Sequence, residues 1–274
     1  MVQNHRQLNH AFNMGIDFTG GTSMILRFNQ GLDSDISPIR AILNDVGLTK
    51  HTIQLSSSDL IIKTQDMVVT TRNQLFNAMT NTLGPFEILE VDIIGPSIGN
   101  DLKKTSWLII FSVAVIMLLY CSWRFDFVFG VASVVALIHD ALIVMACSAF
   151  FGIEVNTIFV AALLTVLGYS INDTIVIFDR IRETMRHNSH DEAIPVVSKT
   201  QINASINEVV PRSIHTSMTT GIVIAALLIF AGTTLQVFST VLMIGVITGT
   251  YSSLCIAGPM ILTVSKLKGV PVVK

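Results

Sequence analysis

TIFVAALLTVLGYSINDTIVIF, residues 157–178, runs straight into Asp179-Arg180-Ile181-Arg182-Glu183. The apolar part is long enough to cross a bilayer as a helix, and the charged part reads as its boundary with water. Inside the run stand Asn172 and Asp173. A carboxylate within hydrocarbon costs about 2.5–3.5 kcal/mol on insertion scales, so such residues face a bundle interior and mark an ion or proton path. The plainer reading makes Asp173 a hydrogen-bonding residue at a kink or against a neighbouring helix. On helical rise, Asp173 sits about 10 Å inside the boundary at Arg180.

The rest of the chain fits a membrane protein with one polar portion. Of its 274 residues, 51% are hydrophobic and only 13% charged, with a mean hydropathy of +0.64. Soluble domains carry about 25% charged residues. Residues 1–104 hold eight of the seventeen Lys and Arg and ten of the nineteen Asp and Glu. The net charge of −2 gives no basic footprint for nucleic acid. Cys121, Cys147 and Cys255 lie far apart within apolar runs, which predicts buried thiols, with no metal site, disulfide framework or cofactor.

Residues 1–104 read as a soluble α+β domain. A strand is expected over 22–28 and a helix over 34–46, the latter with Ile36, Ile39, Ile42, Leu43 and Val46 on one side and Gly47 stopping it. Residues 51–55 and 60–63 form a hairpin around Ser56-Ser57-Ser58-Asp59. A second helix follows over 67–83, ended by Gly84-Pro85, then a last strand over 86–94. The order β-α-β-β-α-β is the ferredoxin-like split motif. Gly20-Gly21, just after Asp17, reads as a turn.

Five apolar runs follow, roughly 106–122, 127–151, 157–178, 214–231 and 237–264. Residues 105–274 therefore read as a helical bundle with a cytoplasmic loop at about 179–212. Arg124, Arg180, Arg182, Arg186, Lys199, Arg212, Lys266, Lys268 and Lys274 fall in alternate connections or after the last run, while those near Glu154 and Gly232 carry no Lys or Arg. The positive-inside rule places the basic side and the C-terminus in the cytoplasm and residues 1–104 outside. The opening MVQNHRQLNHAFNM, with His5 and His10, has no apolar segment to carry that domain across. A six-helix arrangement whose leading helix precedes this chain is the expectation.

Further polar residues lie within the runs. Leu137-Ile138-His139-Asp140 places a second acid well inside 127–151, and His139 would titrate near neutral pH if hydrated; packing is the equal alternative for it. The fourth run opens Pro211-Arg212-Ser213-Ile214-His215-Thr216-Ser217-Met218-Thr219-Thr220. Arg212, Thr216, Thr219 and Thr220 share a face suited to a hydrated cavity. Arg212 keeps its proton, so it can act as a fixed counter-charge to Asp173; anchoring at the lipid headgroups is the other reading. Gly245, Gly249, Ser253 and Ala257 form a small-residue seam that favours close helix packing.

Taken together, several segments resemble the SecD/SecF family, in its SecF branch. Gly15-Ile16-Asp17-Phe18-Thr19-Gly20-Gly21 is similar to the motif that opens the first external domain of that branch. The likeness continues through Gly95-Pro96-Ser97-Ile98-Gly99, Arg124-Phe125-Asp126 and 136–140, is strongest over 168–183, and resumes at 212–217 and 245–253. The resemblance implies a non-enzymatic accessory subunit of the bacterial Sec protein-export machinery, within the resistance–nodulation–division superfamily. It implies SecD and the SecYEG channel as partners, YajC as a further one, a translocating preprotein, and a place in the cytoplasmic membrane. It also implies that Asp173 and Arg212 take part in proton conduction driven by the proton-motive force, and that a transmembrane helix directly precedes Gly15. Two rivals carry other functions. A small-molecule or lipid exporter subunit of the same superfamily would be expected to have larger external domains. An intramembrane aspartyl protease would need Asp140 and Asp173 to share a proton, yet helical estimates set their depths about 10 Å apart.

Overall fold

The computed structural model describes residues 12–28, 35–56, 59–188, 197–267 and 272–273. His5, His10, Ser57, Ser58, Lys268 and Lys274 lie outside them. The chain divides into two units, residues 1–106 with 155–157, and 107–154 with 158–274.

In the first unit, strands β1 (Gly21–Phe28), β2 (His51–Ser56), β3 (Asp59–Thr64) and β4 (Phe86–Ile94) form one antiparallel sheet in the order β2-β3-β1-β4. With helices α1 (Ser37–Asp45) and α2 (Val69–Leu83) inserted after β1 and β3, this is the ferredoxin-like arrangement. Alternation on the strands sets the core face. Met24, Leu26 and Phe28 of β1 and Leu60 and Ile62 of β3 are buried, with Met24 opposite Ile62 and Leu26 opposite Leu60. Ile39, Ile42 and Leu43 of α1 and Leu75 and Met79 of α2 close the cluster.

Helix α1 starts three residues later than its apolar spacing suggests. Asp35 Oδ1 accepts the Ser37 N–H at 2.9 Å and Pro38 occupies the first turn, where a fixed φ and a missing N–H fit. The hydrogen bond holds the exposed Asp35 carboxyl below its ordinary range. The pair Gly20-Gly21 is more than a turn. Both residues have positive φ, +74° and +136°, and a Cβ on Gly21 would run into the Thr64 carbonyl.

Five helices among the described residues are long and apolar enough to cross a membrane, and the chain is a multi-pass α-helical membrane protein with an N-terminal α+β domain. They are α3 (Pro96–Arg124), α4 (Phe127–Phe151), α5 (Thr157–Asn188), α6 (Lys199–Phe230) and a last helix of two parts, α7 (Thr233–Ser252) and α8 (Gly258–Leu267). A π-helical segment, Ser253–Ala257, joins the two parts.

Three of these helices outrun their apolar cores. α3 begins at Pro96 because Gly95-Pro96 opens its first turn, and Lys103-Lys104 follow within the same helix. The loop expected over 179–212 is largely helical in its described part. α5 carries on to Asn188 and α6 starts at Lys199 with Pro211 inside it. The extension is held by an antiparallel ladder in which Arg180 pairs with Glu208 and Ser205 donates to Thr184 at 2.9 Å.

Candidate functional site

A buried seam of carboxylates and hydroxyls runs along α5. Asp173 is 7% exposed and accepts a hydrogen bond from Ser213 of α6 at 3.0 Å on Oδ1. Its Oδ2 is buried with no hydrogen-bond partner among the described residues. One turn earlier, Tyr169 donates to Ser217 of α6 at 3.3 Å, and Ser217 shares a hydrogen with Thr250 of α7 at 2.5 Å. The pairs 169–217 and 173–213 belong to the same antiparallel ladder as Thr184–Ser205, so helix pairing alone brings Ser213 to Asp173.

Asp140 of α4 has a different environment. It is fully buried, and its Oδ2 accepts from Ser170 of α5 at 2.5 Å and from Ser252 of α7 at 2.8 Å. His139 Nδ1 lies 3.2 Å from Oδ1, its side chain 29% exposed and its ring 6.2 Å from that of Tyr251. Ser253 completes the seam by meeting Thr174 at 2.9 Å and donating to the Ser170 carbonyl at 3.3 Å. The π-helical segment begins at Ser253, and such segments recur where helices carry function.

The small-residue seam makes this contact possible. A Cβ on Gly245 would fall within the Val166 side chain, and one on Gly249 would lie 3.0 Å from Ser170 Cβ. With Ser253 against Thr174, the contacts 245–166, 249–170 and 253–174 advance together in steps of four, so α7 runs parallel to α5. Small residues here let two backbones approach, as membrane helix pairs require.

The remaining expected residues fall as follows. Arg212 is exposed and forms no salt bridge with Asp173 among the described residues, though it lies within Coulombic reach. Thr216, Thr219 and Thr220 return their hydroxyls to backbone carbonyls of their own helix, at 2.8–3.0 Å. Asn172 is exposed, pointing away from the seam into an open groove with Ile116, Met117, Tyr120, Ile171 and Ile175. Asp140 and Asp173 share no hydrogen bond among the described residues, so the proton-sharing pair of the protease reading is not formed. The depth difference of about 10 Å was too large. Ser170, the residue Asp140 touches, is three residues from Asp173, or about 4.5 Å of helical rise. Within the first unit, Asp17 accepts from the N–H of Thr157 at 2.7 Å and from its hydroxyl. Gly15 donates to the Val155 carbonyl at 2.9 Å beside it. Gly15 and Asp17 thus hold residues 155–157, while Gly20 and Gly21 allow close approach to Pro96 and to the Thr64 carbonyl.

Sequence reasoning missed Ser213, Ser170 and Ser252. A usable signal was there: the spacing Tyr169/Asp173 on one helix matches Ser213/Ser217 on the next, both i, i+4.

Comparison with known proteins bears on the same segments. A family profile described as "Protein export membrane protein SecD/SecF, C-terminal" matches residues 74–267, and one described as "SecD/SecF GG Motif" matches residues 9–33. The chain is 35% identical over 265 residues to protein translocase subunit SecF of Sebaldella termitidis, covering 95% of this chain and 85% of the relative. It is 37% identical over 256 residues to that of Desulfurispirillum indicum, covering 90% and 80%. The crystal structure of SecDF, a translocon-associated membrane protein from Thermus thermophilus, superposes with a TM-score of 0.81 at 32% identity. That match covers 92% of this chain and 34% of the SecDF chain, so the chain spans about a third of that protein. The resemblance drawn from the motifs is borne out, and the chain belongs to the SecD/SecF family of protein export membrane proteins.

Proposed function

We propose that this chain is the SecF-type accessory subunit of the Sec protein-export machinery, working with SecD and using the proton-motive force to promote preprotein movement across the cytoplasmic membrane. Its likeness to SecF subunits over most of its length and to SecDF in structure supports the subunit role over an exporter of small molecules or lipids. The SecYEG channel is the partner this role calls for, with YajC as a further one, and the membrane lipid surrounds the bundle.

One observation carries the proton role. Asp173 lies within a membrane helix with one carboxylate oxygen bound by Ser213 and the other buried and unpartnered. A carboxyl in that position can take up and release a proton without dismantling a complete hydrogen-bond shell. Each change of its charge alters the pull between Asp173 and Arg212, whose own charge is constant. Asn172 places an amide next to the acid on the groove side. The driving force is adequate: about 2.3 kcal/mol per charge through 100 mV, against about 5.5 kcal/mol to invert a two-state equilibrium from 1:99 to 99:1, asks for about two to three protons.

The test is export into sealed vesicles by the complete protein assembled with SecD, with and without an imposed proton gradient. Asp173→Asn is expected to reduce export with the gradient to the level seen without it. Undiminished gradient dependence would sink the reading.

The arrangement of basic residues supports a periplasmic domain over residues 1–104 and a cytoplasmic C-terminus. With the three native cysteines replaced by Ala, Gln65→Cys should react with a membrane-impermeant maleimide added outside the cytoplasmic membrane. Reaction only after the cytoplasm is opened would reverse the orientation.

A further inference from the structure

The two buried acids of the bundle are bound in opposite ways. Asp140 has a closed shell. Two serine hydroxyls from two different helices converge on Oδ2, and His139 faces Oδ1. No part of Asp140 is exposed, and among the described residues the only other titratable group at hydrogen-bonding distance is His139. Asp173 has an open shell, with a buried oxygen to spare. We propose that Asp140 is a positioning residue, the acceptor that sets the register of α5 against α7, and that it carries no proton in the cycle. The proposal rests on the proton role assigned above to Asp173.

The geometry around Ser170 shows what this register controls. Ser170 gives its hydroxyl to Asp140, receives Ser253 on its carbonyl, and packs where Gly249 lacks a side chain. Ser252, the second donor to Asp140, ends α7 just before the π-helical segment. Asp140 therefore clamps α5 and α7 together less than one turn from Asp173. Rotation of α5 about its axis would break the Ser170 bond and carry Asp173 away from Ser213. Held in place, α5 presents Asp173 to α6.

Asparagine separates a clamp from a carrier. Its amide oxygen can accept both serine hydroxyls as Asp140 Oδ2 does, while its NH2 can donate to an unprotonated His139 Nδ1. It has no acidic proton to exchange. Leucine removes the acceptor, leaves the Ser170 hydroxyl buried without it, and leaves Ser252 only the Gly249 carbonyl of its own helix, 3.2 Å away. A proton carrier fails with either substitution, and a clamp fails only with leucine.

The experiment measures gradient-driven export by the complete protein with SecD, as a function of pH, for Asp140→Asn, Asp140→Leu and Ser252→Ala, with Asp173→Asn alongside. Asp140→Asn is expected to keep the wild-type rate within about twofold and the wild-type pH profile. Asp140→Leu is expected to lose about tenfold or more, since it removes a charged acceptor that two helices share. Ser252→Ala, which leaves Ser170 on Asp140, should fall between them and keeps the clamp testable if the leucine variant does not accumulate. Loss of gradient dependence in Asp140→Asn would make Asp140 a carrier and overturn the proposal. Wild-type rates in both Asp140→Leu and Ser252→Ala, or in Ser252→Ala alone if the leucine variant is absent, would overturn it by showing that no clamp is needed. Full activity of Asp173→Asn would instead remove the proton reading on which the proposal stands.

Discussion

Gly245→Leu should prevent the bundle from closing. Gly245 is buried on α7, and the space its side chain would need is filled by Val166 of α5, itself 1% exposed. A Cβ alone would lie 2.8 Å from Val166 Cβ and nearer still to its methyl groups, so even alanine requires the helices to part. Overpacking a well-filled interior costs about 1–3 kcal/mol and occasionally more. Alanine belongs at that level and leucine above it, because parting α5 from α7 here also strains Ser170 at Gly249 one turn on. Thermal unfolding in detergent is the measurement. Val166→Ala combined with Gly245→Ala should recover part of the loss, as contacting residues do in a double-mutant cycle. A Gly245→Leu protein as stable as wild type would show that the α5–α7 contact is not close.

Phe178→Ala should be the most costly truncation in the second unit. Phe178 is fully buried, with Phe129 and Phe125 edge-on to it at centroid distances of 5.1 and 6.0 Å. Ile177, Ile202, Val209 and Ala257 belong to the same cluster, which therefore draws on four chain segments. Removing a buried phenyl ring costs about 3–5 kcal/mol, most of it through the cavity left behind. The edge-to-face pairs add about 0.5–1.5 kcal/mol each. In a bilayer the lost term is packing rather than escape from water, so the same unfolding assay should show the drop in lipid nanodiscs as well as in detergent. Phe178→Leu, which refills most of the volume, should recover more than half of it. A loss below 1 kcal/mol for alanine, on the scale of a surface change, would contradict this packing.

The small domain was the easier half to read. Alternation over Met24, Leu26 and Phe28 and a hairpin with polar residues at its tip state their pairing locally. So the strands fall close to where the pattern puts them. Helix ends were harder, because they depend on partners. Nothing local in Asp179-Arg180-Ile181-Arg182-Glu183 says that Arg180 will meet Glu208 and prolong both helices past the apolar boundary. Within the bundle, hydropathy singles out Asp140 and Asp173 at once, since acids there are rare. The serines that bind them pass unnoticed, since serine in a membrane helix is ordinary and its hydroxyl usually returns to its own backbone, as Ser148 does to Val144. Only the pairing of helices distinguishes Ser213 from Ser148. Arg212 shows the converse limit: residue type suggested a salt bridge, and the backbone direction at that point of α6 turns the side chain outward.

The widened turn at Ser253–Ala257 gives the last helix a property that composition does not express. A π-turn holds one residue more than an α-turn, so everything after it is rotated by about 100° from where an unbroken helix would put it. Ser252 can then meet Asp140 while Gly258, six residues on, is turned toward Ile206, whose terminal methyl packs where a Cβ would stand. A version of this chain shorter by one residue here would be the more regular helix and could not keep both contacts. What this stretch must preserve is therefore its count, as a gear must preserve its number of teeth, even where the residues themselves are interchangeable.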